Sequence, residues 1–250
     1  MSSVSTVPDP TSWEIPPSLN PRGTVLLLPG RGEDPRLYER LGARIAADAY
    51  RVRAVADPSR WPREAARQVK EALADGEPAK PLVLAGSDAG ALFAVGLVAA
   101  GEVEVDALVL AGLPTKDVAA SQPADWSEEL GSRTACPTHQ GRLAEPGRLE
   151  RGALYAPLPR EWYDRADLSK VSVPVLGLHG AADPVSPPAA ARTAYAAAPR
   201  AELVTLADGR HDAFNDLSHR TAAATVVLFL ERLRLGADLA PIAISEELPR

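Results

Sequence analysis

Short apolar runs alternate along the chain with longer segments of helical type. The runs typical of buried strands cover residues 24–28, 51–56, 82–85, 107–111, 173–179 and 201–206. The segments typical of helices cover residues 35–47, 63–74, 91–98, 187–197 and 218–233. Near-continuous apolar strands that alternate with helices are typical of a mostly parallel, doubly wound sheet with helices on both faces. The pattern therefore predicts an α/β fold with about six such strands.

This alternation stops between residues 115 and 170, where the chain is polar, contains proline and glycine, and carries several aromatic residues. We interpret that segment as a small helical cap inserted above the sheet. The α/β core is then formed by residues 23–114 and 171–235. Residues 1–22 are rich in proline and serine and are expected to form an irregular N-terminal arm, and residues 236–250 a weakly ordered tail.

Composition narrows the classes of partner and compartment. The chain has 250 residues, enough for one domain with a sizeable core, and a net charge of −6 without a long basic run, which argues against nucleic acid. Its single cysteine, Cys136, rules out an intrachain disulfide and fits a reducing, cytoplasmic location. The N-terminus lacks a signal-peptide pattern, and no apolar run reaches the length of a membrane span. We expect a small-molecule substrate, no cofactor and no metal, and leave a homodimer open.

The candidate nucleophile lies within residues 81–98, PLVLAGSDAGALFAVGLV. An apolar strand runs into a turn of small residues and then into a helix, and this context turns a glycine-flanked pentapeptide into a nucleophile elbow. Glycine is needed two residues before and after the nucleophile, because a side chain there would press against neighbouring backbone. Gly86 and Gly90 satisfy that condition around Asp88. An ordinary strand-to-helix turn with Asp88 as its N-cap is the alternative without chemistry.

A second register places Ser87 at the apex of the turn, with Ala85 and Ala89 as its flanking residues. Alanine is small enough to be tolerated there but suits the strained backbone less well than glycine. The length of the preceding strand also fits Asp88 better. Asp88 is therefore the preferred nucleophile and Ser87 the alternative.

Two later loops add a carboxylate and an imidazole at the ends of predicted strands. Asp183 follows the strand at 173–179, and His211 lies in the loop after residues 201–206. The order nucleophile, acid, histidine suits a catalytic triad in which Asp183 would orient His211. An oxyanion hole requires two main-chain N–H groups, for which Ala89 and Arg31 are the candidates.

Four segments resemble the α/β-hydrolase superfamily, in particular its monoacylglycerol-lipase or lysophospholipase-like branch. PGRGEDPRLYERLGARIAADAYRV resembles the segment after the first main strand of that branch, and PLVLAGSDAGA its elbow. PVLGLHGAADPVSPP resembles its acid strand, and GRHDAFND its histidine loop. The sequence departs from the branch where Pro29-Gly30 replaces His-Gly and where Asp88 replaces serine. An aspartate at that position resembles haloalkane dehalogenases and epoxide hydrolases, which usually follow it with tryptophan rather than Ala89.

The resemblance implies a hydrolase that acts on a small hydrophobic substrate, through an ester, lactone, epoxide or related bond, with Asp88, Asp183 and His211 as its triad. An aspartate would form a covalent ester that His211 then helps to hydrolyse. An esterase or lipase that uses Ser87 is one alternative. The other is a binding protein, lyase, cyclase or isomerase that keeps the fold without hydrolysis. Cap residues that could contact the substrate are Trp126, Tyr155, Trp162 and Tyr163, of which Tyr155 and Tyr163 could supply an acid for epoxide opening.

Overall fold

A computed structural model describes residues 7–76, 78–115, 125–244 and 246. Parts of the predicted arm (1–6), cap (116–124) and tail (245 and 247–250) lie outside the described residues. Among the helices that are described, none is both long and apolar enough to cross a bilayer.

Seven strands form one sheet in the order β1-β3-β2-β4-β5-β6-β7. They are β1 (Thr11–Trp13), β2 (Gly23–Leu28), β3 (Tyr50–Ala54), β4 (Leu82–Ser87), β5 (Ala107–Ala111), β6 (Val175–Gly180) and β7 (Ala201–Leu206). The strands from β2 to β7 are parallel, as the sequence predicts, and β1 is antiparallel to β3. The register β2, β4, β5 brings Leu28, Gly86 and Leu110 level, so the carboxyl ends of these strands share one edge.

Helices cover both faces of the sheet and complete two apolar cores. The α-helices are α1 (Glu39–Ala47), α2 (Pro62–Ala74), α3 (Ala89–Ala99), α4 (Trp126–Arg133), α5 (Pro137–Leu143), α6 (Arg160–Arg165), α7 (Pro188–Ala196) and α8 (His219–Leu235). Helices α1 and α8 pack on one face through Ile45 and Phe229, and α2, α3 and α7 pack on the other through residues such as Val69 and Val95. Successive strand residues point to opposite faces, so each apolar strand feeds both cores.

The N-terminal arm differs from the irregular segment expected, because part of it adds strand β1 to the edge of the sheet. Trp13 explains the attachment: its ring is buried against α1, where a Cβ built on Gly42 would lie 2.3 Å from the indole. The indole N–H also donates to Glu39 at 3.0 Å. Periodicity could not reveal a strand of three residues.

The described part of the insertion contains three short α-helices, α4, α5 and α6. A 3₁₀ turn at Ala153–Tyr155 lies between α5 and α6, and a second, at Leu168–Lys170, follows α6. An isolated bridge pairs Leu149 with Glu33, in the loop after β2. The insertion is therefore attached to the same edge of the sheet at which the candidate site residues lie.

Candidate active site

Asp88 lies at the apex of the turn between β4 and α3, with φ 48° and ψ −119°. This conformation is costly for a residue with a side chain, by roughly 1–3 kcal/mol, and is kept only where the surroundings impose it. The surroundings here are two close backbone approaches. A Cβ on Gly86 would lie 2.5 Å from the Ala91 nitrogen, and one on Gly90 would lie 2.1 Å from the Leu28 oxygen. The tight turn thus presents the Asp88 carboxylate at the sheet edge.

The structure brings Asp88, His211 and Asp183 together in one chain of contacts. His211 Nε2 lies 3.1 Å from Asp88 Oδ1, and His211 Nδ1 lies 2.9 Å from Asp183 Oδ2. All three residues are buried, with no more than 5% of their surface exposed. The imidazole therefore has a carboxylate on each ring nitrogen, and the second carboxylate fixes its orientation.

Asp183 is itself held by the turn that follows β6. Its Oδ1 accepts the main-chain N–H groups of Val185 at 2.8 Å and Ser186 at 3.0 Å. His179, near the end of β6, is buried with Nε2 2.7 Å from the Ser186 oxygen. Its Nε2 is also 3.2 Å from Asp183 Oδ2. The acid thus has a fixed position before any ligand binds.

The side chain of Arg31 is the feature of the site that sequence reasoning missed. Its Nε and Nη2 bind Asp88 Oδ2 and Oδ1 at 2.8 and 2.7 Å, and its Nη1 donates to the Ala156 oxygen at 2.8 Å. Its main-chain N–H also donates to Asp88 Oδ2, at 3.0 Å. A guanidinium with this fork geometry makes a strong two-point ion pair with a carboxylate. A single arginine between two loop glycines carried no signal of that pairing.

These four residues, Asp88, Arg31, His211 and Asp183, are named here the apex cluster. Burial alone would raise the pKa of both carboxyl groups, but the Arg31 charge and His211 hold the pKa of Asp88 well below its usual range. His211 likewise lowers the pKa of Asp183. Burial disfavours the imidazolium, yet Asp183 and Asp88 raise the pKa of His211 to about 10. At neutral pH the cluster thus holds two anions and two cations.

The remaining sequence candidates in the elbow occupy different positions. Ser87 ends β4 and is buried, and its hydroxyl hydrogen-bonds the phenol of Tyr38. The His211 ring contacts the carboxylate of Asp88. Ala89 begins α3, so its N–H group lies at the N-terminus of that helix. Of the two main-chain donors expected in an oxyanion hole, that of Arg31 is already bonded to Asp88.

The four cap aromatics lie in different surroundings. Tyr163 is close enough to the apex cluster for the charges of Arg31 and Asp88 to act on its pKa, which burial raises. Trp162 packs on Phe93 of α3, with ring centroids 4.8 Å apart. Trp126 lies beneath the Arg151 guanidinium, and Tyr155 ends a 3₁₀ turn next to the Ala156 oxygen that Arg31 binds. The Tyr163 phenol therefore lies within electrostatic range of the charged groups of the site.

A cavity of about 490 Å³ lies between the cap, α3 and α7. Its walls include Leu92, Leu113, Leu168 and Ala194, together with Tyr163 and the carboxyl group of Asp167. Because the Leu92 N–H donates to the Asp88 main-chain oxygen at 3.1 Å, the cavity begins one helical turn from the elbow, and it could hold the body of a small, largely apolar molecule.

A second group of buried charges was also missed and connects the loops around the site. Arg133 binds Glu33 Oε1 at 2.9 Å and Glu129 Oε1 at 3.1 Å, and donates to the Arg31 oxygen at 3.0 Å. Tyr38 hydrogen-bonds Glu33. We name Arg133, Glu33, Glu129 and Tyr38 the loop cluster. It joins α4 to the loop after β2, and Arg133 attaches it to the main chain of Arg31.

Asp57 and His139 are two further buried titratable groups near this edge of the sheet. Asp57 follows β3 and accepts the Gly32 N–H at 2.7 Å, and burial raises its pKa to about 7 against the hydrogen bonds from Ser59 and Gly32. His139, on α5, is fully buried, with Nε2 3.0 Å from Asp212 Oδ2. Helix α5 belongs to the insertion, where the sequence has no clear periodic pattern that would predict this burial. Within the described ranges, no set of three or more His, Cys, Asp or Glu side chains is arranged to hold a metal ion.

The architecture is similar to that of several solved lipases and esterases. A monoacylglycerol lipase of Paleococcus ferrophilus superposes with a TM-score of 0.71 at 16% identity, covering 89% of this chain and 97% of that one. A soluble variant of monoglyceride lipase from Saccharomyces cerevisiae gives 0.69 at 16% identity over 93% and 97% of the two chains. A thermophilic esterase from Thermogutta terrifontis gives 0.63 at 18% identity over 90% and 94%.

No protein-family model matches the sequence, and no curated protein matches it significantly. The structural similarity shows that the chain has the α/β-hydrolase fold, with a mostly parallel seven-stranded sheet between helices. Chemistry has to be argued from the site itself, since one fold serves many activities.

Proposed function

We propose that this protein is a hydrolase in which the Asp88 carboxylate attacks an electrophilic carbon of a small, largely apolar substrate and forms a covalent ester. The observation that carries the proposal is the alignment of Asp88, His211 and Asp183, with contacts of 3.1 and 2.9 Å. An ionised carboxylate needs no base in order to attack. It is suited to saturated carbon bearing a leaving group, such as an epoxide or an alkyl halide.

In the first step an Asp88 oxygen forms a bond to the substrate carbon as the bond from that carbon to the leaving group breaks. The electron pair of the broken bond goes to the leaving group. A halide departs as an anion, whereas an epoxide oxygen needs a proton. We infer that Tyr163, whose phenol lies within electrostatic range of both Arg31 and Asp88, donates it.

The second step depends on the charge that the first step removes. Once Asp88 is an ester it is neutral, and His211 loses one of the two carboxylates that raise its pKa in the free protein. The imidazolium then releases its proton to the leaving group or to solvent and becomes a base, still oriented by Asp183. It can take a proton from water, and the resulting hydroxide adds to the ester carbonyl carbon of Asp88.

The tetrahedral intermediate places a negative charge on the former carboxylate oxygen of Asp88. In the free protein that carboxylate accepts the Arg31 N–H at 3.0 Å, and Ala89 begins the adjoining helix. These main-chain donors, with the Arg31 guanidinium, can stabilise the oxyanion. On its collapse the bond from the carbonyl carbon to the substrate oxygen breaks, and the His211 imidazolium protonates the leaving alkoxide to give the alcohol. The Asp88 carboxylic acid then loses its proton to solvent, which restores the carboxylate.

Trapping the ester tests the proposal. The His211→Asn variant, incubated with a panel of epoxides and alkyl bromides, should accumulate a mass increase on the peptide that contains Asp88. The asparagine cannot activate water, so the first step proceeds and the second stops. Full turnover by this variant, with no adduct on that peptide, would refute the mechanism.

Variants of the two elbow residues separate the nucleophiles. Ser87→Ala should retain turnover and adduct formation, while Asp88→Asn should lose both. The reverse result on a nitrophenyl ester would favour an esterase that uses Ser87.

A second candidate, a ligand-binding or other non-hydrolytic role, is favoured by one observation. Arg31 binds both oxygens of Asp88, and the oxygen that attacks the substrate would have to give up part of this contact. If no member of the panel modifies Asp88 and none is turned over, the site is better described as a closed ion pair in a protein that retains only the fold.

A further inference from the structure

We propose that the substrate carries a carboxylate next to its reacting carbon, and that the Arg31 side chain binds this group during the attack by Asp88. The inference rests on the function proposed above. It narrows the substrate class from small apolar molecules in general to short acids with an electrophilic carbon, such as 2-halo acids or epoxy acids.

The first argument is the number of donors on the guanidinium. Arginine has five N–H groups in a fixed plane. Three of them bind Asp88 and the Ala156 oxygen, at 2.7–2.8 Å. The other two, one on each Nη atom, have no acceptor among the described residues. Arg31 can therefore hold a second oxyanion beside Asp88 without first releasing the nucleophile.

The second argument is charge. In the free protein the apex cluster is balanced, with Asp88 and Asp183 ionised and Arg31 and His211 protonated. Ester formation removes the charge of Asp88 and leaves the buried Arg31 opposite a neutral group. A buried cation without its counter-ion is strongly unfavourable. A substrate carboxylate restores the counter-ion at the moment when Asp88 ceases to provide it, so its benefit is greatest once the bond has formed.

Asp57 is the other carboxyl group close enough to act on the pKa of Arg31. Its oxygens are already used by the N–H groups of Gly32 and Ser59, at 2.7 Å each, and by the Ser59 hydroxyl at 2.8 Å. Burial raises its pKa to about 7, so it is only partly ionised at neutral pH. Asp57 therefore cannot fully replace Asp88 as the partner of Arg31. The leaving group takes up the displaced charge, but a halide departs and an epoxide oxygen is protonated, whereas a substrate carboxylate stays attached to the covalent ester.

Matched substrate pairs test the inference on the protein without altering Arg31. We would compare 2-bromopropanoate with 2-bromopropanamide, and oxirane-2-carboxylate with its amide. In each pair the reacting carbon and the leaving group are the same. The readouts are kcat/KM in the wild type and the rate of adduct formation on the Asp88 peptide in His211→Asn. Each rate is divided by the rate of the same compound with acetate in solution, which removes intrinsic reactivity. After this correction the acids should react about 100-fold faster than the amides, or more.

A second variant assigns the preference to Arg31. Arg31→Lys keeps the positive charge but loses the planar fork, so the ratio of acid to amide should fall by about tenfold or more. If that variant proves unstable, the wild-type ratio still decides the question.

The outcomes separate the two proposals. Equal or faster modification of Asp88 by the amides overturns the carboxylate inference and leaves the hydrolase proposal in place. Adducts on Asp88 from the acids alone, with a ratio that Arg31→Lys reduces, support both. If neither member of either pair modifies Asp88 or is turned over, the proposed function fails, and the inference fails with it.

Discussion

The apex cluster and the loop cluster are adjacent groups of buried charges, but Asp88 differs from the loop-cluster carboxylates in what it binds. In the apex cluster Asp88 accepts mainly from ionised side chains, Arg31 and His211. In the loop cluster the carboxylates also bind main-chain N–H groups: Glu129 accepts from Gly152 at 2.6 Å. Glu33 likewise accepts from Gly30 at 3.1 Å. Asp88 thus accepts one main-chain N–H group, that of Arg31 itself, whereas Glu33 and Glu129 together accept three, from the loop after β2 and from the insertion.

This difference indicates which cluster can exchange its contacts without unfolding the surrounding chain. The contacts of Asp88 can be exchanged for a substrate or relieved by a proton, because the backbone of the elbow is fixed independently by β4 and α3. The contacts of Glu33 and Glu129 define the path of two loops and of the cap. A change in the loop cluster should therefore act on stability, and a change in the apex cluster on chemistry.

The largest effect should come from Arg133→Met, which removes the central cation of the loop cluster and keeps much of the side-chain volume. Glu33 and Glu129 would remain buried without a counter-ion, so the free energy of unfolding should fall by about 3–5 kcal/mol. Urea denaturation followed by circular dichroism measures the change. The matched control is Arg67→Met on α2, where the arginine pairs with Glu64 and Glu71 at the surface and its loss should change little. Equal effects of the two substitutions would contradict the role given to the loop cluster.

The two clusters also differ in how much of them could be predicted from sequence. The elbow, the acid and the histidine each follow a strand that apolar runs reveal, so Asp88, Asp183 and His211 could be placed at one edge before the structure was known. All six parallel strands were predicted, and their ends differ from the observed ones by no more than two residues.

What escaped prediction depends on contacts between segments distant in sequence. Arg31 was expected to contribute its main-chain N–H, yet its side chain binds Asp88, 57 residues away. Arg133 meets Glu33 across 100 residues. Polar residues in loops have no periodicity that reports such pairing, and the cap that buries them has a weak pattern of its own. The local sequence therefore indicated the residue types at the site but not the ion pairs among them.

The second prediction concerns pH and isolates the apex cluster. His211 has its pKa raised to about 10, whereas an unfolded histidine titrates near about 6.5. Its stabilising contribution is therefore complete below about pH 6.5 and is lost as the pH rises through about 10. The pKa of Asp57 is raised to about 7, so its contribution to stability is lost as the pH rises towards about 7. Asp57 therefore does not affect the upper part of this range.

Between pH 7 and 10 the free energy of unfolding should thus fall, with a slope approaching about 1.4 kcal/mol per pH unit. Urea melts at fixed ionic strength across this range measure it. His211→Asn, which cannot take up the proton, should flatten the profile. If the variant shows the same slope as the wild type, the imidazolium is not the group responsible.

The smallest expected effect tests the backbone on which the apex cluster depends. Asp88→Gly and Asp88→Ala both remove the carboxylate, and therefore the same ion pairs with Arg31 and His211. They differ in the cost of φ 48°, which glycine adopts without strain and alanine does not. The glycine variant should be more stable by about 1–2 kcal/mol, measured by urea denaturation.

The neighbouring residue gives the control with the opposite sign. Ser87 lies in strand β4, where glycine is the weaker choice, so Ser87→Gly should be less stable than Ser87→Ala by about 0.5–1 kcal/mol. A reversal of preference between two adjacent positions cannot arise from lost charge or lost volume, because each pair of variants removes the same polar group. If alanine were the more stable substitution at both positions, the elbow would have to relax when the carboxylate is removed. In that case the ion pairs with Arg31 and His211, rather than Gly86 and Gly90, would impose the strained turn.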